Sequence, residues 1–124
     1  MKLIYLFLLL AITMSCKGQV ADPDTLRQLA AKETTAIVDV RTIQEFEEGH
    51  LESSINMPLQ SLTDSIESLK QYENIIVICR SGGHSAKAKA ELEEAGFTNV
   101  YNGGGWKYLK EVLEVREHEL QHIE

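Results

Sequence analysis

The residues best suited to chemistry lie in one run, Ile75-Ile76-Val77-Ile78-Cys79-Arg80-Ser81-Gly82-Gly83-His84-Ser85. An apolar β-branched stretch ends on a cysteine, a glycine-containing loop follows, and Ala86-Lys87-Ala88-Lys89-Ala90-Glu91-Leu92 opens a helix-forming segment. A cysteine between a strand end and a helix N-terminus meets converging backbone N–H groups and the positive end of the helix dipole, which favours its thiolate. Most free cysteines are simply small buried apolar residues. Here Gly82-Gly83 lets the backbone pass close to the sulfur, and Ser81 and Ser85 add hydroxyls in the same volume, so the run reads as a nucleophile in an anion-binding loop.

A second motif competes. His118-Glu119-Leu120-Gln121-His122 has the His-Glu-x-x-His spacing that places two metal-binding histidines and a glutamate on one helical face. It lies two residues from the end of the sequence among Glu114, Arg116, Glu117 and Glu124, and no downstream residue is left to supply a third ligand. It reads as a solvated helix end, and no metal site is expected.

The Cys79 loop has to be held by neighbouring elements. Asp22-Pro23 has the pattern of an N-cap and first helical residue, with Leu26, Leu29 and Ala30 at helical spacing. Thr35 to Val40 reads as a strand, and Thr42-Ile43-Gln44-Glu45 as a capping box opening a helix to about Glu48, ended by Gly49. Ser54 to Pro58 supplies a brief strand, and Ser61 to Lys70 reads as a helix with Leu62, Ile66 and Leu69 on one face. After the Ile75–Cys79 strand, a helix is expected from Ser85 to Ala95 with Gly96 as its cap. A short strand over Phe97–Tyr101 then leads to a flexible turn at Asn102-Gly103-Gly104-Gly105. The last helix runs from Trp106 to about Glu117, with Trp106, Leu109 and Leu113 inward. Strands alternating with helices call for an α/β fold, its central sheet mainly parallel with helices on both faces and its site at the carboxyl ends of the strands.

The chain has 124 residues, enough for one domain, and a formal charge of −7. General binding to nucleic acid or to an anionic membrane is disfavoured, so any anion site is local. Met1-Lys2 followed by an apolar run to Ile12 reads as a signal peptide over residues 1–15. Cys16 after Ser15 resembles the lipobox of bacterial lipoproteins, although Thr13-Met14-Ser15 lacks the usual leucine. The expectation is a lipidated Cys16 and a spacer over residues 16–21, which would anchor the protein to a membrane in the periplasm or cell envelope. Since the chain has two cysteines, Cys79 would then be the single free thiol.

Several segments together resemble the rhodanese family of sulfurtransferases. They are Val38-Asp39-Val40-Arg41 with Glu45-Phe46 and Gly49-His50-Leu51, Ser54-Ile55-Asn56-Met57-Pro58, Ile78-Cys79 through Ser85-Ala86, and Gly96-Phe97-Thr98-Asn99-Val100 leading to Gly104-Gly105-Trp106. The resemblance implies one rhodanese domain over residues 22–117, a rhodanese-like open fold, with residues 118–124 a helix end or tail. It also implies catalysis by Cys79, which would take sulfane sulfur from a donor such as thiosulfate as a persulfide. The sulfur would pass to a thiophilic acceptor, cyanide in vitro or a thiol in vivo, with no cofactor. Arg80, Ser81, Gly82, Gly83, His84 and Ser85 would bind the substrate.

The loop from Cys79 to His84 matches the shorter, sulfur-transferring form rather than the longer phosphatase form of this fold. At His84 many family members carry arginine, so permanent positive charge on that side of the loop is in question, and Arg80 partly compensates. Asp39 and Arg41 are expected to support the structure, as an ion pair or by capping neighbouring backbone, His50 to pack, and Trp106 to form core or pocket wall. The alternative to an enzyme is a non-catalytic sulfur-carrier or anion-binding module serving a partner protein. Oligomeric state is not legible.

Overall fold

In a computed structural model, the structure describes residues 19–122, with side chains described from 19 to 115. The signal segment and Cys16 lie outside the described residues. Strands β1 (Thr35–Asp39), β2 (Ser54–Asn56), β3 (Asn74–Cys79) and β4 (Val100–Gly105) form one four-stranded sheet in the order β2-β1-β3-β4. Every pairing is parallel, as the strand–helix alternation requires. The central strand β3 is buried along its whole length, and Ile76, Val77 and Ile78 are wholly inaccessible. Each such side chain contributes about 1.5–3 kcal/mol of hydrophobic stabilisation.

Helices cover both faces. Helices α1 (Pro23–Ala30) and α4 (Trp106–His122) press Leu26, Leu29, Leu109 and Val112 onto Ile37, Ile76 and Ile78. Helix α3 (Gly83–Glu94) sets Ala88 and Leu92 against Val38, Val77 and Cys79 on the opposite face, where Leu62 and Leu69 complete the layer. Because side chains alternate along a strand, Cys79 shares the α3 face with Ile75 and Val77.

The local signals explain most boundaries. Asp22 caps α1 by accepting from Asp24 N and Thr25 N, with Pro23 at the first position. Thr42 and Glu45 form the capping box of the short helix α2 (Ile43–Glu48), and Gly49 ends it. The Thr42 hydroxyl, foremost among several hydrogen bonds and charges, holds the Glu45 carboxyl below the ordinary range. Gly96, at φ +104°, turns the chain out of α3.

Three expectations are corrected. The Ser61–Lys70 helix is two 3-10 helices, Leu59–Asp64 and Ile66–Gln71, separated at Ser65. Ser61 and Ser68 hydroxyls donate to the carbonyls of Pro58 and Ser65, three residues back, and such side chains compete with α-helical bonding. Leu62 and Leu69 are nonetheless buried as expected. Helix α3 begins at Gly83, two residues earlier than predicted. The strand expected over 97–101 is displaced to Val100–Gly105, so the supposed flexible turn is strand, and α4 follows without a loop and continues to His122.

The last correction shapes the site. Gly103 is the extra residue of a bulge, with Val77 opposite Asn102 and Ile78 opposite Gly104. A β-carbon on Gly103 would lie 2.7 Å from the Ile76 methyl and 2.8 Å from that of Ile78, and one on Gly105 would lie 2.7 Å from the Arg80 carbonyl oxygen. These glycines allow β4 to run against β3 and beneath the cysteine loop. Gly105→Ala is therefore expected to push the Arg80 carbonyl aside, destabilising the fold by about 1–3 kcal/mol and slowing alkylation of Cys79. Thermal unfolding and iodoacetamide kinetics on the purified variant check both effects.

Candidate active site

Cys79 is the last residue of β3 and is 1% exposed. The chain leaves the strand through Arg80 and Ser81, turns at Gly82 with φ +103°, and enters α3. A left-handed φ of this kind favours glycine, which explains Gly82. No side chain caps the start of α3. The sulfur occupies that region instead: Gly82 N–H donates to Cys79 Sγ at 2.9 Å, and Ser85 Oγ lies 3.4 Å from Sγ.

Two opposing influences set the ionisation of this thiol. Burial, the largest single influence, disfavours the thiolate. Hydrogen bonds from the Ser85 side chain and from the backbone of Ser85, Gly82 and Ser81 favour it and prevail, so the thiol ionises below the ordinary cysteine range. Because the unfolded thiol keeps its proton to higher pH, the folded state binds fewer protons in that interval. Stability from this group is therefore present above the unfolded pKa and is lost as pH falls through the folded one. Alkylation of Cys79 by iodoacetamide is expected to reach half its plateau at lower pH than N-acetylcysteine in the same buffers.

The other sequence-predicted residues divide into distinct groups. Gly82 and Ser85 touch the sulfur, and Ser85 is fully buried. Arg80 and Ser81 are exposed on the outer side of the loop, and Gly83 and His84 are exposed in the first turn of α3. Among the described hydrogen bonds, none joins His84 to the sulfur.

Arg80 borders two depressions. One, of about 610 Å³, is lined by Arg41, Glu45, Glu48, Gly49, Arg80, Trp106 and Lys107. The other, of about 280 Å³, is walled by Val20, Ser81, Gly104, Gly105 and Tyr108. Lys107 is a cation beside Arg80 that motif reading did not single out, since a lysine in a helix is ordinarily a solvated face residue.

Asp39 and Arg41 form the expected ion pair. Arg41 Nε and Nη2 donate to Asp39 Oδ1 and Oδ2 at 3.0 and 2.8 Å, with Asp39 wholly buried and Arg41 8% exposed. The same guanidinium donates to Gly49 O at 2.7 Å and Glu45 O at 3.2 Å, and lies 4.7 Å over the Trp106 ring. It thus ties the end of β1 to α2 and to the start of α4. His50 stacks on Phe46 with ring centroids 3.8 Å apart, and its Nδ1 donates to Phe46 O at 2.7 Å, so it packs as expected. Trp106 is half-buried and forms pocket wall.

Asn102 was missed. It is 1% exposed on β4, and its Oδ1 accepts from Ser85 Oγ at 2.7 Å and from Gly104 N at 2.9 Å. Asn-Gly reads locally as a turn signal, which hid an asparagine inside a buried strand. The His118–His122 motif lies on the last turns of α4, where side chains are outside the described residues. Among the described residues, no three His, Cys, Asp or Glu side chains gather as metal ligands would, and no helix is long and apolar enough to cross a membrane.

A parallel α/β sheet whose central strand delivers a cysteine into a backbone-lined loop defines a class of anion-handling thiol proteins. Residues 22–111 match the rhodanese-like domain, and the chain belongs to that family. It is 35% identical over 72 residues to thiosulfate sulfurtransferase PspE of Escherichia coli, covering 56% of this chain and 69% of that protein. It is 41% identical over 75 residues to thiosulfate sulfurtransferase 16, chloroplastic, of Arabidopsis thaliana, covering 51% and 62%. Among relatives with other names, it spans 41% of the putative sulfur carrier protein YrkF of Bacillus subtilis, at 30% identity over 61% of this chain. It also spans 30% of a tRNA uridine(34) hydroxylase of Buchnera aphidicola, at 32% identity over 69% of this chain. Among solved structures, a rhodanese with anions from E. coli superposes with a TM-score of 0.55 at 33% identity, covering 60% of this chain and 89% of that one.

Proposed function

We propose that the protein is a sulfurtransferase that moves sulfane sulfur from a donor such as thiosulfate to a thiophilic acceptor through a Cys79 persulfide. The observation that carries this reading is the buried sulfur at the start of α3, held by Gly82 N–H at 2.9 Å and favoured as a thiolate. The resemblance to two thiosulfate sulfurtransferases supports the same chemistry.

In the first half-reaction the Cys79 thiolate attacks the outer sulfur of thiosulfate. A sulfur–sulfur bond forms at Cys79, the bond within thiosulfate breaks, and sulfite leaves with the bonding electron pair. In the second, the acceptor attacks the outer persulfide sulfur and Cys79 departs as thiolate, so no external oxidant or reductant is consumed. The backbone N–H groups stabilise negative charge on sulfur in both steps. Arg80 and Lys107 line one depression beside the loop, together with Glu45 and Glu48, and are the cations that would attract a dianion there. Arg80 is thus the permanent loop cation, with His84 exposed where many family members carry arginine.

Purified protein given thiosulfate and cyanide is expected to release thiocyanate by double-displacement kinetics, with parallel reciprocal plots. Stoichiometric sulfur loading without turnover would replace the enzyme by a carrier, the reading that resemblance to a putative sulfur carrier favours. The reading also places the protein in a bacterial envelope, anchored by a lipid on Cys16. The sequence of residues 1–16 supports this placement. The mass of the mature N-terminal peptide, with or without a diacylglyceryl thioether, tests it.

A further inference from the structure

The Ser85 hydroxyl has one proton and too many acceptors. It lies 2.7 Å from Asn102 Oδ1, 2.9 Å from Gly82 O and 3.4 Å from Cys79 Sγ. Gly104 N–H donates to the same Asn102 atom at 2.9 Å, which assigns that atom as the amide oxygen and makes it an acceptor for Ser85. While Cys79 is a thiol, the chain of donors runs one way: S–H to Ser85 Oγ, Ser85 O–H to Asn102 Oδ1. Once the thiol ionises, the sulfur, which already accepts from Gly82 N–H, gains a second donor only if Ser85 withdraws its proton from Asn102 Oδ1, the nearer of its two oxygen acceptors, and from Gly82 O. Asn102 Oδ1 then keeps Gly104 N–H, so no buried carbonyl is stranded.

We infer that Asn102 is a positioning residue that competes with the Cys79 sulfur for the Ser85 proton, and so sets how readily the nucleophile forms. The inference rests on the proposed function only in taking Cys79 to act as a thiolate. The charged and titratable groups around the loop include the Asp39–Arg41 pair at the end of β1, Arg80 on the loop, His84 on α3, Lys107 and Tyr108 on α4, and Glu45 and Glu48 on α2. All are common to the variants compared and cancel in the comparison. Strand β4 carries only Tyr101 as a titratable group.

The test is the pH profile of Cys79 alkylation by iodoacetamide, which needs no sulfur donor. Asn102→Ala should remove the nearer of the two oxygens that compete with the sulfur, leaving Gly82 O, and so move the profile to lower pH and speed alkylation on its acid side by up to roughly fivefold. Ser85→Ala should slow it by a similar factor. In a Ser85→Ala background, Asn102→Ala should change the rate by less than about twofold, because the competition has lost its object. Equal shifts with and without Ser85, or no shift, would overturn the inference.

A second measurement uses the unsubstituted protein and does not depend on Asn102→Ala folding. The Gly104 amide proton resonance should move downfield as Cys79 titrates, since that N–H becomes the stronger partner of Asn102, and should lose this response in Ser85→Ala. A response of equal size in Ser85→Ala would also overturn it. A coupled profile in a protein that makes no thiocyanate would leave this inference standing and remove the proposed function.

Discussion

Cys79→Ser is expected to abolish thiocyanate formation from thiosulfate and cyanide, with a loss of at least about a thousandfold, while the fold is retained. The substituted hydroxyl sits in the same pocket and accepts from Gly82 N–H as the sulfur does. Unlike a thiol, it stays protonated near neutral pH and cannot carry a transferable sulfur. The change therefore separates chemistry from structure. Thermal unfolding close to that of the parent, together with absent turnover, is the expected pair of results, and turnover in the serine variant would assign the activity to another group.

The second large effect is on stability. Arg41→Ala leaves Asp39 as a carboxylate with no accessible surface and without the guanidinium that now pairs with it. It also strips donors from the Gly49 and Glu45 carbonyls and the nearer of two cations from the Trp106 ring. Breaking one side of a buried pair costs about 3–5 kcal/mol. In a domain of this size that lowers Tm by more than about 10 °C. Asp39→Asn should be milder, since the amide oxygen can still accept from the Arg41 guanidinium, which keeps its bonds to the Gly49 and Glu45 carbonyls and its place over Trp106. Thermal unfolding of the two variants orders them, and equal, small shifts would show that the pair contributes little beyond its surroundings.

The fold was largely legible because its strongest signals are local. The β3 run, the Asp22-Pro23 cap, the Thr42–Glu45 box and Gly96 each specify a boundary through one or two residues. The nucleophile candidate was equally legible, since strand, glycine turn and helix follow one another in sequence. The Asp39–Arg41 pair could also be anticipated, two residues apart at a strand end.

What local reading lost depends on distant neighbours. The three glycines before Trp106 look flexible in isolation. Only the Ile76 and Ile78 methyls beside Gly103 and the Arg80 carbonyl beside Gly105, brought close by sheet pairing, show that these two are there for packing, while Gly104 sits at a φ of +77°. Asn102 was hidden by the same error, because its partners Ser85 and Gly82 are 17 and 20 residues away in sequence. The 3-10 helices arose from serine hydroxyls competing for backbone carbonyls, which a pattern of leucines at helical spacing does not register.

The central claim is that Cys79 itself carries the sulfur. Mass spectrometry of the Cys79-containing peptide, taken before and after exposure to thiosulfate, tests this most directly. The peptide is expected to gain the mass of one sulfur atom, to lose it on adding cyanide or dithiothreitol, and to show no gain in Cys79→Ser. A protein that turns over thiosulfate while this peptide keeps its unmodified mass throughout would contradict the account.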